Sequence, residues 1–345
     1  MFFRFLIAML VVGQFAVAAE AKKPQKGPKI GFILSTMQEE RYQKDKRFFE
    51  EAVQKMGGTV LFASCNNSEQ QQAAEVDNLL SQGVDVLVIQ AVNGDTATSF
   101  VNQAKRDKVP VVAYDRLIMN APLDGYVTED SIKTGELQAE AAVKATGGKG
   151  NYILLMGQAG HSCAEERTAG AMKVLKKYPA IKIVVKQYHA GWSPNLAMQT
   201  TENTLTQYKN NIQAIIANNS GMAFGAVQAL EEQKLTGKVF VAGADADLPN
   251  IKAMLQGKQQ YEVGIPIEEM AGRAATVAMA LAQKKEFKVD NMTNNGYKVG
   301  GNPVLVKTVN APVFGVDKSE IEARIVKTGF HARDAVYGKV ATIKQ

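Results

Sequence analysis

GVDVLVIQ (residues 83–90), followed after a helix-like interval by VPVVAYDR (109–116), is an apolar strand, a crossover and a second apolar strand that ends on Asp115 and Arg116. Strands that are apolar on both sides belong to a parallel sheet covered by helices on both faces. The same unit returns in the second half, as IQAIIA (212–217), a helix-like interval and VFVAG (239–243) with Asp245 just beyond. The expected fold is therefore α/β, with two Rossmann-like lobes joined by a multi-strand hinge. Open parallel sheets bind ligands beyond the carboxyl ends of their strands, so facing lobes would aim Asp115, Arg116 and Asp245 into one cleft.

The remaining punctuation fits two lobes. Lys29–Leu34 is the first strand. Phe48, Phe49, Ala52, Val53 and Met56 recur at helical spacing, and Gly57-Gly58 ends that helix. Thr59–Ala63 is the second strand, and a helix reaching Gln82 is stopped by Gly83. Asp130-Ser131 caps a helix toward Ala145 that Gly147-Gly148 closes, and the first crossing between lobes is placed here. The second half adds Tyr152–Met156, a helix over Ala169–Lys177, Ile181–Tyr188 and a helix over Leu196–Gln207. Asp247 is expected to cap a short helix holding Pro249 in its first turn. Ile265-Pro266 marks a second crossing, since the helix carrying Met270, Ala274, Val277, Ala278 and Leu281 would cover the first lobe, and a third is expected near Asn294–Asn302. The lobes are thus residues 28–130 plus 266–296, and 131–264 plus 300–331.

The 345 residues suit two domains better than one core. Residues 1–19 read as a signal peptide: Arg4 precedes the apolar stretch Phe5–Val12, and Ala16, Ala18 and Ala19 favour cleavage near Ala18 or Ala19. The apolar stretch is short of the ~20 residues a spanning helix needs. A net charge of +6 with both signs interspersed is no nucleic-acid footprint. Cys65 and Cys163 form no metal spacing and are expected as two free or buried thiols. No cofactor or metal is implied.

Asp115 accepts from hydroxyls and Arg116 donates in a planar fork, which suits a neutral polyhydroxylated ligand; an internal salt bridge pinning the loop is the other reading. Trp192, in the loop sequence HAGWSP (189–194), either covers the C–H face of such a ligand or packs between lobes. Tyr42 either supplies the opposite face or is simply exposed beside a helix start. Asn219 either contacts ligand or caps the next helix. Enzymatic signals are poor: GHSCA (160–164) is similar to a nucleophile elbow but lacks its final glycine, and no phosphate loop or GxGxxG occurs.

With ERYQKD (40–45), GVDVLVI (83–89), AYDR (113–116), GELQA (135–139), MKVLK (172–176), DADL (245–248) and GFH (329–331), the chain resembles the type I periplasmic binding proteins of ABC sugar importers, in their D-xylose-binding branch. The likeness runs in order along nearly all of the chain after the signal peptide. It implies two lobes closing on a pentopyranose in the periplasm, with Arg41, Tyr42 (commonly Trp in the family), Asp115, Arg116, Trp192, Asn219 and Asp245 as ligand-binding residues. It implies as partners a small-molecule sugar and an ABC permease of the inner membrane, no nucleic acid, and a monomer. Departures cluster at the pocket. Ile265 stands for a ligand-binding lysine, Ser162-Cys163 for two asparagines, Ser220 for an aspartate and Ser35-Thr36 for two acidic residues. Each lost donor costs about 1–3 kcal/mol where its partner stays unpaired, so the scaffold carries over and the sugar does not. A ligand-sensing subunit for a membrane kinase or chemoreceptor is the alternative, with a hydrolase the weaker one; a sugar-responsive repressor would need a helix-turn-helix where the signal peptide lies.

Overall fold

The computed structural model describes residues 27–338, so the signal peptide read over residues 1–19 lies outside the described residues. The chain opens on β1 (Lys29–Leu34), α1 (Glu40–Lys55), β2 (Thr59–Ser64), α2 (Glu69–Ser81), β3 (Val86–Ile89), α3 (Thr98–Arg106), β4 (Val111–Tyr114) and β5 (Gly125–Glu129). It continues through α4 (Ser131–Thr146), β6 (Gly150–Met156), α5 (Ser162–Leu175), β7 (Ile181–Tyr188), α6 (Pro194–Gln207), β8 (Ala214–Ala217), α7 (Ser220–Glu232), β9 (Phe240–Ala244), α8 (Leu248–Leu255) and β10 (Tyr261–Gly264). Helix α9 (Ile267–Ala282) leads to β11 (Asn291–Thr293), the hairpin of β12 (Lys298–Val299) and β13 (Asn302–Pro303), then β14 (Val306–Ala311), β15 (Phe314–Asp317) and α10 (Arg333–Tyr337).

The strands form two large sheets, ordered β11-β14-β5-β4-β3-β1-β2 and β15-β10-β9-β8-β6-β7. Within them β2-β1-β3-β4-β5 and β7-β6-β8-β9-β10 have the same order and all pair in parallel. The repeat seen in sequence is thus a repeat of topology, with order reversals at β1/β3 and β6/β8.

Alternation explains the unbroken apolar strands. Val86 and Val88 pack with Phe49, Val53, Met270 and Ala274 under α1 and α9. Leu87 and Ile89 pack on the other face with Val76, Leu79, Phe100 and Val101 of α2 and α3. In the second sheet Tyr152 and Leu154 meet α4 and α5, while Ile153 and Leu155 meet α6 and α7. Cys65 and Cys163 are free and buried. No helix among the described residues is long and apolar enough to cross a membrane.

Three sequence expectations need correction. The third crossing falls at 312–313, because β14 pairs with β5 and keeps residues 306–311 in the first sheet. The polar, glycine-containing stretch around Asn294–Asn302 is a surface excursion that returns to the same sheet. Helices α1 and α5 begin five and seven residues earlier than the apolar spacing marked, since their first turns carry polar residues. Asp247 occupies the cap position of α8, but its side chain makes no capping bond. Pro249 at the second position of that helix has no N–H to offer.

Two glycines set how closely α4 and α5 pack. A Cβ on Gly135 would lie 1.7 Å from the Arg167 carbonyl oxygen, and one on Gly170 would lie 2.0 Å from that of Ile132.

Candidate functional site

The cleft between the lobes is closed by contacts from loop to loop. Arg41 Nη1 reaches Asp245 across the cleft at 3.7 Å, the Leu117 N–H donates to Ser162 Oγ at 2.9 Å, and the Leu248 N–H donates to Glu40 at 3.2 Å. They enclose a cavity lined by Glu39, Arg41, Tyr42, Asp115, Arg116, Cys163, Arg167, Trp192 and Asp245. Of the seven residues expected to bind ligand, six line it. Asn219 does not: its side chain accepts from the Met222 N–H at 2.9 Å and caps α7.

The first lobe supplies a connected frame. Arg41 and Tyr42 come from the first turn of α1, which places Arg41 one turn from Asp45. The Arg41 guanidinium meets Asp45 at 3.3 Å and Asp115 at 3.2 Å. Arg116 donates to Ser35 Oγ, Ala91 O and the Tyr42 hydroxyl at 3.1, 3.1 and 3.0 Å. Its Nε makes no hydrogen bond, with Asp115 Oδ2 4.0 Å away, although Arg116 is 2 % exposed. Gln90, beyond β3, donates to Asp115 at 2.7 Å and accepts from the Ser35 hydroxyl at 2.8 Å. Asp115 and Arg116 thus line the cavity and are also anchored within the loops.

From the second lobe, Arg167 on α5 donates twice to Glu129 Oε1, at 2.8 and 3.1 Å, once to Asn218 O at 2.5 Å and once to Asp245 at 3.4 Å. Glu129 ends β5 of the first sheet, so this pair also spans the lobes. Its Oε2 is buried and unpartnered. The Trp192 ring sits on Gly157, where a Cβ would come within 2.4 Å of it. Asp115, Asp245 and Trp192 have φ of 63°, 99° and 56°, so the chain bends into the left-handed region at three cavity positions. Such backbone costs roughly 1–2 kcal/mol per L-residue and persists where surroundings enforce it.

Electrostatics separate the carboxyls. Burial pushes Asp115 up, but Arg41, Arg116 and Arg167 more than offset it and hold it below the usual carboxylate range. Burial dominates at Asp245, which is raised against Arg167 and Arg41. Glu39 is pushed up to about 7 and Asp45 to about 6, both mainly by desolvation. The lining thus has three guanidinium groups facing three carboxyl groups. That set of donors and acceptors suits the hydroxyls of a neutral polyol.

Space decides size. The cavity of this closed form holds only about 10 Å³, room for about one water, so seating a sugar ring requires the lobes to part. Roomier grooves lie elsewhere, one of about 710 Å³ lined by Gly150, Asn151, Gln213 and Phe240 among others. That groove sits at the amino ends of the second sheet's strands, opposite to where α/β sheets bind ligands.

Fold and site together define a two-lobed α/β binding protein with its pocket at the strand ends of both lobes. The chain belongs to the periplasmic binding protein domain family, whose description matches residues 30–286. It is 40% identical to the D-xylose-binding periplasmic protein of Escherichia coli (strain K12), over 91% of this chain and 93% of that one. It is 36% identical to the D-xylose-binding periplasmic protein of Haemophilus influenzae, over 95% and 98%. Among solved structures, an ABC transporter solute-binding protein from Clostridium phytofermentans with bound β-D-glucose has a TM-score of 0.81 at 25% identity, covering 89% of this chain and 99% of that one.

Sequence reasoning missed Glu39 and Arg167, and had Cys163 at the pocket only as a departure from the family pattern. Cys163 and Arg167 are one helical turn apart on α5, a face that disappears when the helix is started at Ala169. Glu39 precedes the ERYQKD stretch by one residue and carried no spacing signal.

Proposed function

We propose that this chain is exported and captures a neutral monosaccharide, a pentose such as xylose or a related sugar, between its lobes, and delivers it as a monomer to an ABC permease of the inner membrane. The observation that carries this reading is the enclosed cavity in which Arg41, Arg116 and Arg167 face Glu39, Asp115 and Asp245 beside Trp192. Sugar hydroxyls both donate and accept, and Arg116 Nε at the cavity wall is a donor that makes no hydrogen bond within the protein. Contacts from both lobes favour the closed form alone, and a full switch takes about 5.5 kcal/mol of differential affinity. Several hydrogen bonds and an aromatic face supply that. The crossings at 130, 265–266 and 312–313 serve as the hinge.

The protein acts without catalysis. Ser162 accepts from the Leu117 N–H, and neighbouring His161 has its ring nitrogens engaged by Trp192 and Val92 O, which leaves no base for a serine nucleophile. Because Trp192 is the chain's one tryptophan, its fluorescence reports on this cavity without interference. A panel of pentoses, hexoses and polyols is expected to yield one that changes this fluorescence and raises the melting temperature. A panel that does neither refutes capture of a simple sugar.

A further inference from the structure

We infer that His161 is a positioning residue for sugar capture: it fixes the Trp192 wall of the cavity and latches it to the opposite lobe, so the lobes close only around a neutral imidazole. This rests on the capture reading above. His161 lies just before α5 in the second lobe, and Val92 lies beyond β3 in the first. The Trp192 Nε1–H donates to His161 Nδ1 at 2.8 Å, so Nδ1 carries no proton and the proton sits on Nε2, which is 2.6 Å from Val92 O. The rings of His161 and Trp192 stack with centroids 6.0 Å apart. The histidine is 2 % exposed. A second proton, on Nδ1, would set two donors against each other and release the indole.

Charged groups around the ring act in the same direction. Burial first, then Arg116 of the facing lobe, lower its protonation to about 3, with the Val92 carbonyl and Asp115 opposing. Arg167 of α5 lies 5.8 Å from the Trp192 ring centroid. With the lobes parted the imidazole loses Arg116 and much of its burial and moves back toward its ordinary value near 6.5, so closure below that pH expels a proton. Capture then weakens on acidification, by up to about 25-fold between pH 7 and pH 5 from this group alone. Glu39, which lines the cavity and is raised to about 7 by burial with Asp245 of the second lobe adding to it, takes up a proton on closure and opposes it. The contrast between wild type and a His161 variant therefore isolates the latch.

Trp192 fluorescence is followed from about pH 8 to about pH 4 in wild type, H161Q and H161L, without sugar and with D-xylose, D-ribose or D-glucose. Wild type without sugar is expected to show a step near the ordinary imidazole range that both variants lack. A sugar that binds should move this step down by at least about one pH unit, and H161Q, whose amide both accepts and donates, should bind it roughly tenfold tighter than H161L. The inference is overturned if the step survives in both variants, or if a bound sugar leaves its midpoint in place. Failure of all three sugars to bind would count against the capture of those sugars, while the sugar-free comparison still decides whether His161 holds Trp192.

Discussion

Replacing Arg167 by methionine tests the most heavily bonded side chain of the cleft. The guanidinium makes four hydrogen bonds, two of them to Glu129, which is 1 % exposed. Without it the Glu129 carboxylate keeps only the Ser131 hydroxyl, at 2.7 Å, as a donor. Breaking a buried pair from one side costs about 3–5 kcal/mol, because the partner charge stays buried. At ~2–4 °C per kcal/mol the melting temperature should fall by roughly 6–20 °C. Converting Glu129 to glutamine in the same chain removes the stranded charge, so R167M/E129Q should recover a good part of this loss. Thermal unfolding of the two single variants and the double, run as a double-mutant cycle, gives the coupling directly. A loss below about 1 kcal/mol for R167M, or strict additivity in the cycle, would refute the ion-pair account.

Gly135→Ala should destabilise as much as a buried cavity variant, on the order of 2 kcal/mol or more, since its Cβ would strike the Arg167 carbonyl at 1.7 Å; thermal melting checks this, and an unchanged melting temperature would show that α4 and α5 can move apart freely. Asp115→Asn should weaken capture of whichever sugar the panel identifies by at least about tenfold, because Arg41 and Arg116 lose a shared anion; calorimetric titration measures it. Glu262, fully buried, is raised to about 8, chiefly by desolvation. The folded state therefore holds this proton more tightly than the unfolded chain, and its contribution to stability is present below the ordinary carboxyl range and is lost as pH rises through about 8. Melting curves should show E262Q gaining on wild type between pH 5 and pH 9, and a constant difference would disprove the assignment.

Much of the fold was legible because its signals are local. Val86–Ile89 and Ala214–Ala217 are apolar on both faces, which a sheet covered on one side would not require. Asp115 and Asp245 were readable as a pair because both follow the fourth strand of a repeated unit. Glycine and cap signals closed α2 and opened α4 where the structure has them. The short strands β10, β14 and β15 carried no such pattern, and the last crossing was misplaced with them. The pairings that place β14 beside β5 and β15 beside β10 join residues 50 or more positions apart in sequence.

The amino-acid sequence by itself determined the two parallel sheets, their covering helices and the polar groups at their strand ends, since period and turn chemistry act over a few residues. Only the tertiary structure decided which of these groups share a cavity. It turned Asn219 into a helix cap, brought Arg167 in from α5 to meet Glu129 and Asp245, and set His161 against both Trp192 and Val92. Apart from the Asn219 cap these contacts join residues about 30 to 80 positions apart, and those of Arg167 with Glu129 and of His161 with Val92 cross the cleft. Such partners are fixed by how closely α4 packs on α5 and how the lobes meet, and no local pattern encodes that distance.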